Sequence, residues 1–405
     1  MSETVVLAFS GGLDTSWCVP WLREERKCRV VTVTVDVGGM NAAERTALEQ
    51  RALSLGADQH LFVDGREKLW SELLRFLVIG NVLRGNVYPL CVGAERSLQA
   101  REVARVAREL GAVGVAHGCT AAGNDQVRFE VALRTVAPEL EIIAPIRDLH
   151  PSRQDEVEFL AKRGFAVPAS AAAYSVNSGL WGTTIGGKET TTTTGSLPES
   201  AWVRTRNALE TPRATEQHRI GFTDGVPCSL DGVRMAPVVL IEKLDALAAP
   251  FGIGRGIHLG DTILGMKGRV AFEAPAAITL IHAHRELEKL TLTARQQQLK
   301  DSVARLYGDL VHEGQFLEPT CRDMEALFLS TQQRVTGEVH LAFRTGSFFV
   351  EGVTSPFSLR DASRSVYGET VGEWTPEDAR GFSRLLALPG MLHKRAGAAA
   401  QGENS

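Results

Sequence analysis

The apolar run Val5-Val-Leu-Ala-Phe9 empties directly into Ser10-Gly-Gly-Leu-Asp-Thr-Ser16, and this junction constrains the fold more than any other stretch of the chain. An aliphatic run followed by two glycines and three hydroxyls reads as a strand, a tight turn and the first turn of a helix. Consecutive glycines let the backbone present its N–H groups to an anion. The hydroxyls of Ser10, Thr15 and Ser16 add donors where the helix begins. The loop is therefore expected to bind phosphate. It lacks the Gly-Lys-Ser/Thr ending of a Walker A loop and the spacing of a dinucleotide fingerprint, which argues against the usual kinase, GTPase and dehydrogenase chemistries.

The segments after this junction alternate in period. Val30 to Val37 is a β-branched strand, and Asn41 with Glu44 forms a capping pair for the next helix. His60 to Val63, Val113 to Ala116 and Glu141 to Pro145 read as further strands. Leu69 to Ile79, Glu95 to Leu110 and Asn124 to Val136 read as helices, and Ser152 with Asp155 opens another that stops at Gly164. The pattern predicts an α/β domain with a doubly wound, mostly parallel sheet over residues 1–165, its ligand at the first strand-to-helix turn. Beyond Phe165 the texture changes. Ala169 to Ala173 and Thr190 to Gly195 are low-complexity loops, and few helices are expected before Arg285 to Tyr307. A second, α+β domain is predicted over 166–370, with a hairpin formed by Glu338 to Phe343 and Phe348 to Val353. A short C-terminal helical tail over 371–405 is expected to break at Pro389-Gly390 and fray from Ala396.

At 405 residues and 44% hydrophobic content the chain can bury a large core, and its net charge of −4 gives no overall basic field for nucleic acid. Arg96, Arg101, Arg105 and Arg108 make one helix locally basic, mostly as a solvated face. No secretory leader or membrane-length apolar run is visible, so a cytoplasmic protein with no membrane partner is expected. Cys18, Cys28, Cys91, Cys119, Cys228 and Cys321 show no C-x-x-C spacing, which predicts free, mostly buried thiols. His282 and His284 would share a strand face but lack further ligands at metal spacing, so no resident metal is expected.

His117-Gly-Cys-Thr-Ala-Ala-Gly-Asn-Asp-Gln-Val-Arg-Phe-Glu130 lies where another strand of the first domain ends. Thr120, Asn124 and Asp125 gather at a helix entrance, with Arg128 on the same side of the helix as Asp125. Mixed charges of this kind suit a zwitterion, although Asn124 and Asp125 also suit a plain N-cap.

The glycine-rich loop resembles the PP-loop of ATP pyrophosphatases. Together with Gly123-Asn-Asp-Gln-Val-Arg-Phe-Glu130 it is similar to the argininosuccinate synthase family. Further matches are Ile142-Ile-Ala-Pro145, Tyr174-Ser175, Gly252-Ile-Gly-Arg255, Gly265-Met-Lys267, Leu290-Thr-Leu292, Val335-Thr-Gly337 and Ser355-Pro356. The resemblance implies a C–N ligase that adenylates a citrulline-like ureido acceptor with ATP and magnesium, then joins L-aspartate to it, with no tightly bound cofactor. It also implies a homotetramer. ATP falls to Ala8, Phe9, Ser10, Gly11, Gly12, Leu13, Asp14, Thr15, Ser16, Val35 and Gly118, with Ser10, Asp14, Thr15 and Ser16 nearest the chemistry. Aspartate falls to Thr120, Asn124 and Asp125. The acceptor falls to Tyr88, Gly93, Asn124, Arg128, Ser175, Thr184, Glu273 and Ile281.

The acceptor set departs from the family pattern. Gly93 stands where the family has a serine that contacts citrulline, Ile281 where it often has a tyrosine, and Thr184-Ile-Gly186 replaces Ser-Tyr-Glu. Each lost hydrogen bond is worth roughly 0.5–1.5 kcal/mol. Two readings stay open: a synthase of ordinary specificity, or a relative that joins aspartate to another amide, ureido or carboxyl acceptor in specialised metabolism. A tRNA-modifying enzyme using Cys91 or Cys119 and a non-catalytic nucleotide sensor are the remaining alternatives.

Overall fold

The computed structural model describes residues 3–165 and 174–400. Its first sheet has five parallel strands in the order β3-β2-β1-β4-β5: β1 Thr4–Ala8, β2 Arg29–Asp36, β3 Gln59–Asp64, β4 Gly114–Ala116 and β5 Glu141–Ile143. Val5, Val6 and Leu7 of β1 are all buried, because helices cover both faces of a parallel sheet. The helices are α1 Leu13–Glu25, α2 Ala42–Ser54, α3 Arg66–Leu69, α4 Arg75–Ile79, α5 Gly93–Glu109, α6 Asn124–Val136, α7 Pro145–Leu149 and α8 Arg153–Ala161. The predicted helix over 69–79 is a longer run in which a π turn, Trp70–Leu74, separates α3 from α4. Capping boxes start α2 at Asn41/Glu44 and α8 at Ser152/Asp155. Each satisfies two N–H groups that a helix start otherwise leaves open. Crossovers run outward from β1 in one direction and from β4 in the other, which places the topological switch point between these two strands.

The following strands are antiparallel. β6 Ser175–Gly179, β7 Gly182–Gly186, β11 Arg255–Asp261 and β12 Lys267–Glu273 form a four-stranded sheet. β8 Glu216–Thr223, β9 Val226–Leu230, β10 Val233–Arg234, β13 Gly337–Arg344 and β14 Ser347–Thr354 form a five-stranded one. The β13–β14 hairpin turns at Thr345-Gly346, where Gly346 has φ +80°. Helices α9 Pro237–Ala248 and α10 Pro275–Thr291 pack on these sheets, while α11 Ala294–His312 and α12 Pro319–Gln332 pack against each other and against α5 and α4. One hydrophobic core runs from Val6 and Val31 through Trp181 and Leu280 to Leu341 and Phe343.

The region before Tyr307 holds more helix than its glycines suggested, and the single helix expected from Arg285 is two. Thr293 breaks it by capping α11 with Gln296. His282 and His284 therefore lie on helix α10, not on a strand, and two-residue spacing there separates them: His282 is exposed and His284 fully buried. His284 belongs to a buried network in which its Nδ1 meets Asn81 at 2.7 Å and its Nε2 meets Gln332 at 2.8 Å. Lys300 donates to Glu288 at 2.6 Å and to the Ile79 carbonyl at 2.6 Å.

Met1–Pro356 and Phe357–Ser405 form two compact units. The second contains α13, Pro376–Ala400, a helix of 25 residues that continues through Pro389 where a break was expected. Its Phe382, Leu385, Leu386, Met391 and Leu392 are exposed. It also spans 396–400, expected to fray, while 401–405 and the loop expected at Ala169–Ala173 lie outside the described residues. All six cysteines are free, four of them buried. Among the described residues no helix is long and apolar enough to cross a membrane.

Candidate active site

The carboxyl ends of β1 and β4 open into a cleft of about 1000 Å³. At its floor Gly11 takes φ +75°, and a Cβ there would lie 2.3 Å from Leu48 Cδ1, so the turn needs glycine at this position. Ser10 Oγ lies 3.2 Å from Thr15 Oγ1 and accepts from the Gly12 N–H at 3.4 Å. No side chain caps α1 at Gly12, so the N–H groups of its first turn are available to an anion. Gly118 closes the opposite wall, where a Cβ would stand 3.0 Å from Thr15 Cγ2 and 3.1 Å from Thr15 N. Behind Asp14, burial and then the Asp14 carboxylate push Glu156 up to about 8, so this carboxyl keeps its proton at neutral pH.

Ala8 through Thr15, Val35 and Gly118 line the cleft, whereas Ser16 lies beneath it. Ser16 Oγ donates to the Gly11 carbonyl at 3.4 Å and accepts from Arg51 Nε at 2.9 Å, bracing the turn from α2.

On the other side α6 begins at Gly123, again without a side-chain cap. Thr120, Asn124, Asp125 and Arg128 all line the cleft here. Asp125 receives Arg96 Nε on Oδ2 at 2.8 Å and Arg128 Nη1 on Oδ1 at 2.8 Å. Burial opposes its charge, but the two guanidiniums, Arg96 first, hold its carboxyl down to about 2. Arg128 also donates to the His312 carbonyl at 2.8 Å and faces His312 Nδ1 at 3.1 Å; burial and this cation lower His312 to about 3. Asn124 Oδ1 accepts from the Ile263 N–H at 2.9 Å. Its amide N–H groups have no protein partner among the described residues.

Arg96 corrects the reading of its helix as a solvated face. It lies in the cleft and ties Asp125 to Gln99 and to Asn177 of β6, while Arg101, Arg105 and Arg108 pair with acids around the helix. His117 is a second group the motif did not single out. Its Nδ1 accepts from the Cys119 N–H at 3.3 Å, which leaves a buried Nε2–H with no partner at the cleft wall, and burial lowers its pKa to about 4. Burial works against both cysteines considered for a tRNA-modifying enzyme, since it disfavours the reactive thiolate: burial, then Asp125, raises Cys119 to about 12, and burial, then Glu95, raises Cys91 further.

The acceptor set divides. Asn124, Arg128 and Ser175 line the cleft; Tyr88, Gly93, Thr184, Glu273 and Ile281 do not. Tyr88 is buried and donates to the Cys91 carbonyl at 2.6 Å. Glu273 accepts from the N–H groups of Val203, Arg204 and Thr205 and from the Thr205 hydroxyl, which satisfies its carboxylate within the protein. Gly93 opens α5 with its missing Cβ 3.1 Å from the Arg128 guanidinium, and Thr184 pairs with Phe272 and Asn177 in the sheet. Ile281 is 1% exposed in the core of α10. Its exchange is a packing change, not a cleft wall, and gives no support to an altered acceptor.

Comparison with known proteins agrees with this arrangement over both halves. Residues 4–166 match the arginosuccinate synthase N-terminal HUP domain and residues 174–393 the arginosuccinate synthase C-terminal domain. A protein of Xanthomonas campestris pv. campestris named argininosuccinate synthase is 40% identical over 399 residues, 97% of this chain and 98% of that one. Proteins of the same name from Methanocaldococcus jannaschii and Dictyoglomus thermophilum are 36% and 37% identical, covering 97% and 96% of this chain and 98% and 97% of theirs. Full-length likeness of this degree, with a phosphate loop and an Asn124/Asp125 entrance on one cleft, places the chain in the argininosuccinate synthase family.

Proposed function

We propose that this chain joins L-aspartate to the ureido carbon of citrulline while splitting ATP into AMP and pyrophosphate. The observation that carries this is the meeting of two uncapped helix starts in one cleft, α1 with its phosphate loop and α6 with Asn124 and Asp125. A ureido carbonyl is a poor electrophile because nitrogen donates into it. Its oxygen must first become a leaving group. The oxygen attacks the α-phosphorus of ATP and pyrophosphate departs; the amine of aspartate then attacks the activated carbon, loses a proton and expels AMP, which carries the former ureido oxygen. No covalent enzyme intermediate is required.

The protein's part is positioning and charge stabilisation. Ser10, Thr15 and the open N–H groups of α1 receive the departing pyrophosphate, with Ser16 bracing the turn from below. Val35 borders adenine, and Gly118 lets the nucleotide approach the β4 end. Asp125 takes the substrate ammonium, Thr120 and Asn124 its carboxylates, and Arg128 and Ser175 the acceptor. ATP enters as its magnesium complex, which neutralises phosphate charge. Such an ion is typically held by one or two carboxylates plus phosphates, and Asp14 at the loop fits that need.

We place the reaction in the cytoplasm. The working assembly is a homotetramer in which the exposed apolar side chains of α13 are covered by other copies; a monomeric mass by light scattering would contradict this.

The function is tested by incubating the protein with ATP, L-aspartate and citrulline. AMP and pyrophosphate should form in equal amounts and only with both amino acids present. ADP with phosphate, or product formation without citrulline, would overturn the reading.

A further inference from the structure

Glu95 stands beside the aspartate entrance and has no role in the steps above. It lies in the first turn of α5, 1% exposed, and its Oε1 has no hydrogen-bond partner. Its carboxyl covers Gly179 at the end of β6, where a Cβ would fall 2.1 and 2.3 Å from the two oxygens, so position 179 admits no side chain. The Trp181 N–H, in the turn joining β6 to β7, is directed at the same carboxyl. That turn is seated against the parallel-sheet half. The Leu180 N–H donates to the Val37 carbonyl at 2.6 Å, and the Trp181 indole donates to the Pro89 carbonyl at 2.8 Å.

Charged and titratable groups face Glu95 from every side: Arg96 on its own helix, Asp125 from α6, Arg204 from the segment before β8, and the Cys91 thiol and Tyr88 phenol from the loop before α5. Asp245 of α9 stands behind, on Arg204. Both guanidiniums are already engaged. Arg204 holds Asp245, Thr183 and the Gly179 carbonyl, and Arg96 holds Asp125, Gln99 and Asn177.

We propose that Glu95 is a positioning residue for aspartate: neutral, it leaves Arg96 on Asp125 and Asn177, and ionised, it draws Arg96 toward itself and weakens aspartate binding. This rests on the reading of Asp125 as the aspartate site. A buried carboxylate with an open oxygen needs a cation. Arg96 is the neighbour whose response reaches the aspartate site, because it alone of the two guanidiniums also holds Asp125, while its other partners, Gln99 and Asn177, are neutral amides exchanged at little cost. Ionised Glu95 also adds a negative charge beside a substrate with two carboxylates and one ammonium. Burial raises the Glu95 carboxyl to about 7, against the pull of Arg96, Arg204 and the Trp181 N–H, so the exchange falls in the working pH range. Free aspartate does not titrate between pH 6 and 8. By linkage, binding aspartate must raise the proton affinity of Glu95 by the same factor that ionised Glu95 lowers aspartate affinity.

Calorimetric titration of L-aspartate into the full-length protein, with a non-hydrolysable ATP analogue present, tests this. Affinity should be about fivefold weaker at pH 8 than at pH 6, at the lower end of typical couplings. Buffers of different ionisation enthalpy should reveal proton uptake near pH 7, and Glu95→Gln should bind alike at both pH values. A pH step kept in Glu95→Gln overturns the inference. If that variant does not fold, absence of proton uptake in the unmodified protein overturns it equally. Failure to bind aspartate at any pH would instead overturn the assignment of the site.

Discussion

Asp125 carries the most specific consequence at the scale of single residues. Its carboxylate divides its oxygens between Arg96 and Arg128 and is kept ionised between them. Asp125→Asn preserves the shape but removes the charge that pairs with an ammonium. A charge-assisted hydrogen bond is worth roughly 1.5–3 kcal/mol, so KM for aspartate should rise about 10- to 100-fold while KM for ATP changes less than about twofold. Steady-state kinetics with each substrate varied in turn checks this; a parallel loss of ATP affinity would make Asp125 a support of the fold instead. The Ser10 to Ser16 loop was legible in sequence because its chemistry is local, a turn whose glycines and hydroxyls are neighbours in the chain. Arg96 was not. Its partners Asp125 and Asn177 lie 29 and 81 residues away, and helical spacing alone made it one arginine among four.

Elements were readable where their ends carry chemistry. The capping pairs Asn41/Glu44 and Ser152/Asp155 marked helix starts, and the glycine turn at 346 marked a hairpin, because each is a contact within a few residues. Helix α10 was not readable as such. Its Ala276, Ala277, Leu280, Ile281, Ala283 and Leu287 are buried, so much of its surface is apolar and the helical period is blurred. Ile281, the one acceptor candidate that the resemblance puts on this helix, is buried in its core and does not line the cleft. Helices α4, α10, α11 and α12 are joined through the Asn81, His284, Glu288, Lys300 and Gln332 network, which only the assembled fold creates. Lys300→Met leaves Glu288 buried without its cation and should cost about 3–5 kcal/mol in urea unfolding. Adding Glu288→Gln should recover part of that loss, a non-additivity expected of direct partners. A cost below about 1 kcal/mol would show that the network does not bind these helices together.

Across the whole molecule several histidines are buried in neutral form. Burial lowers His60, His117 and His284 to about 4, and His312 to about 3, with Arg128 adding to the last. An unfolded histidine takes up its proton near 6.5, so the unfolded chain binds more protons below that value. Stability from these groups is complete above about pH 6.5 and is lost as pH falls through the folded values near 4 and 3. Glu156 and Glu95, raised to about 8 and 7, act with the opposite sign and offset much of this near neutrality. Below about pH 6 the unfolded histidines are mostly protonated and outweigh these two carboxyls, so the urea midpoint should decline from pH 6 to pH 5, before most carboxylates titrate. A midpoint constant over that range would contradict the burial of neutral imidazoles.

The account as a whole requires that the acceptor oxygen be activated on the α-phosphorus, since the cleft joins a glycine-rich loop to the Asn124/Asp125 entrance and burial keeps the one thiol on its described wall, Cys119, protonated. Citrulline labelled with ¹⁸O in its ureido group tests this most directly, with the products of one turnover analysed by mass spectrometry. The label should appear in the phosphate of AMP, with none in pyrophosphate. Label recovered in pyrophosphate, in inorganic phosphate or in water would contradict adenylation of the acceptor, and with it the function assigned to this cleft.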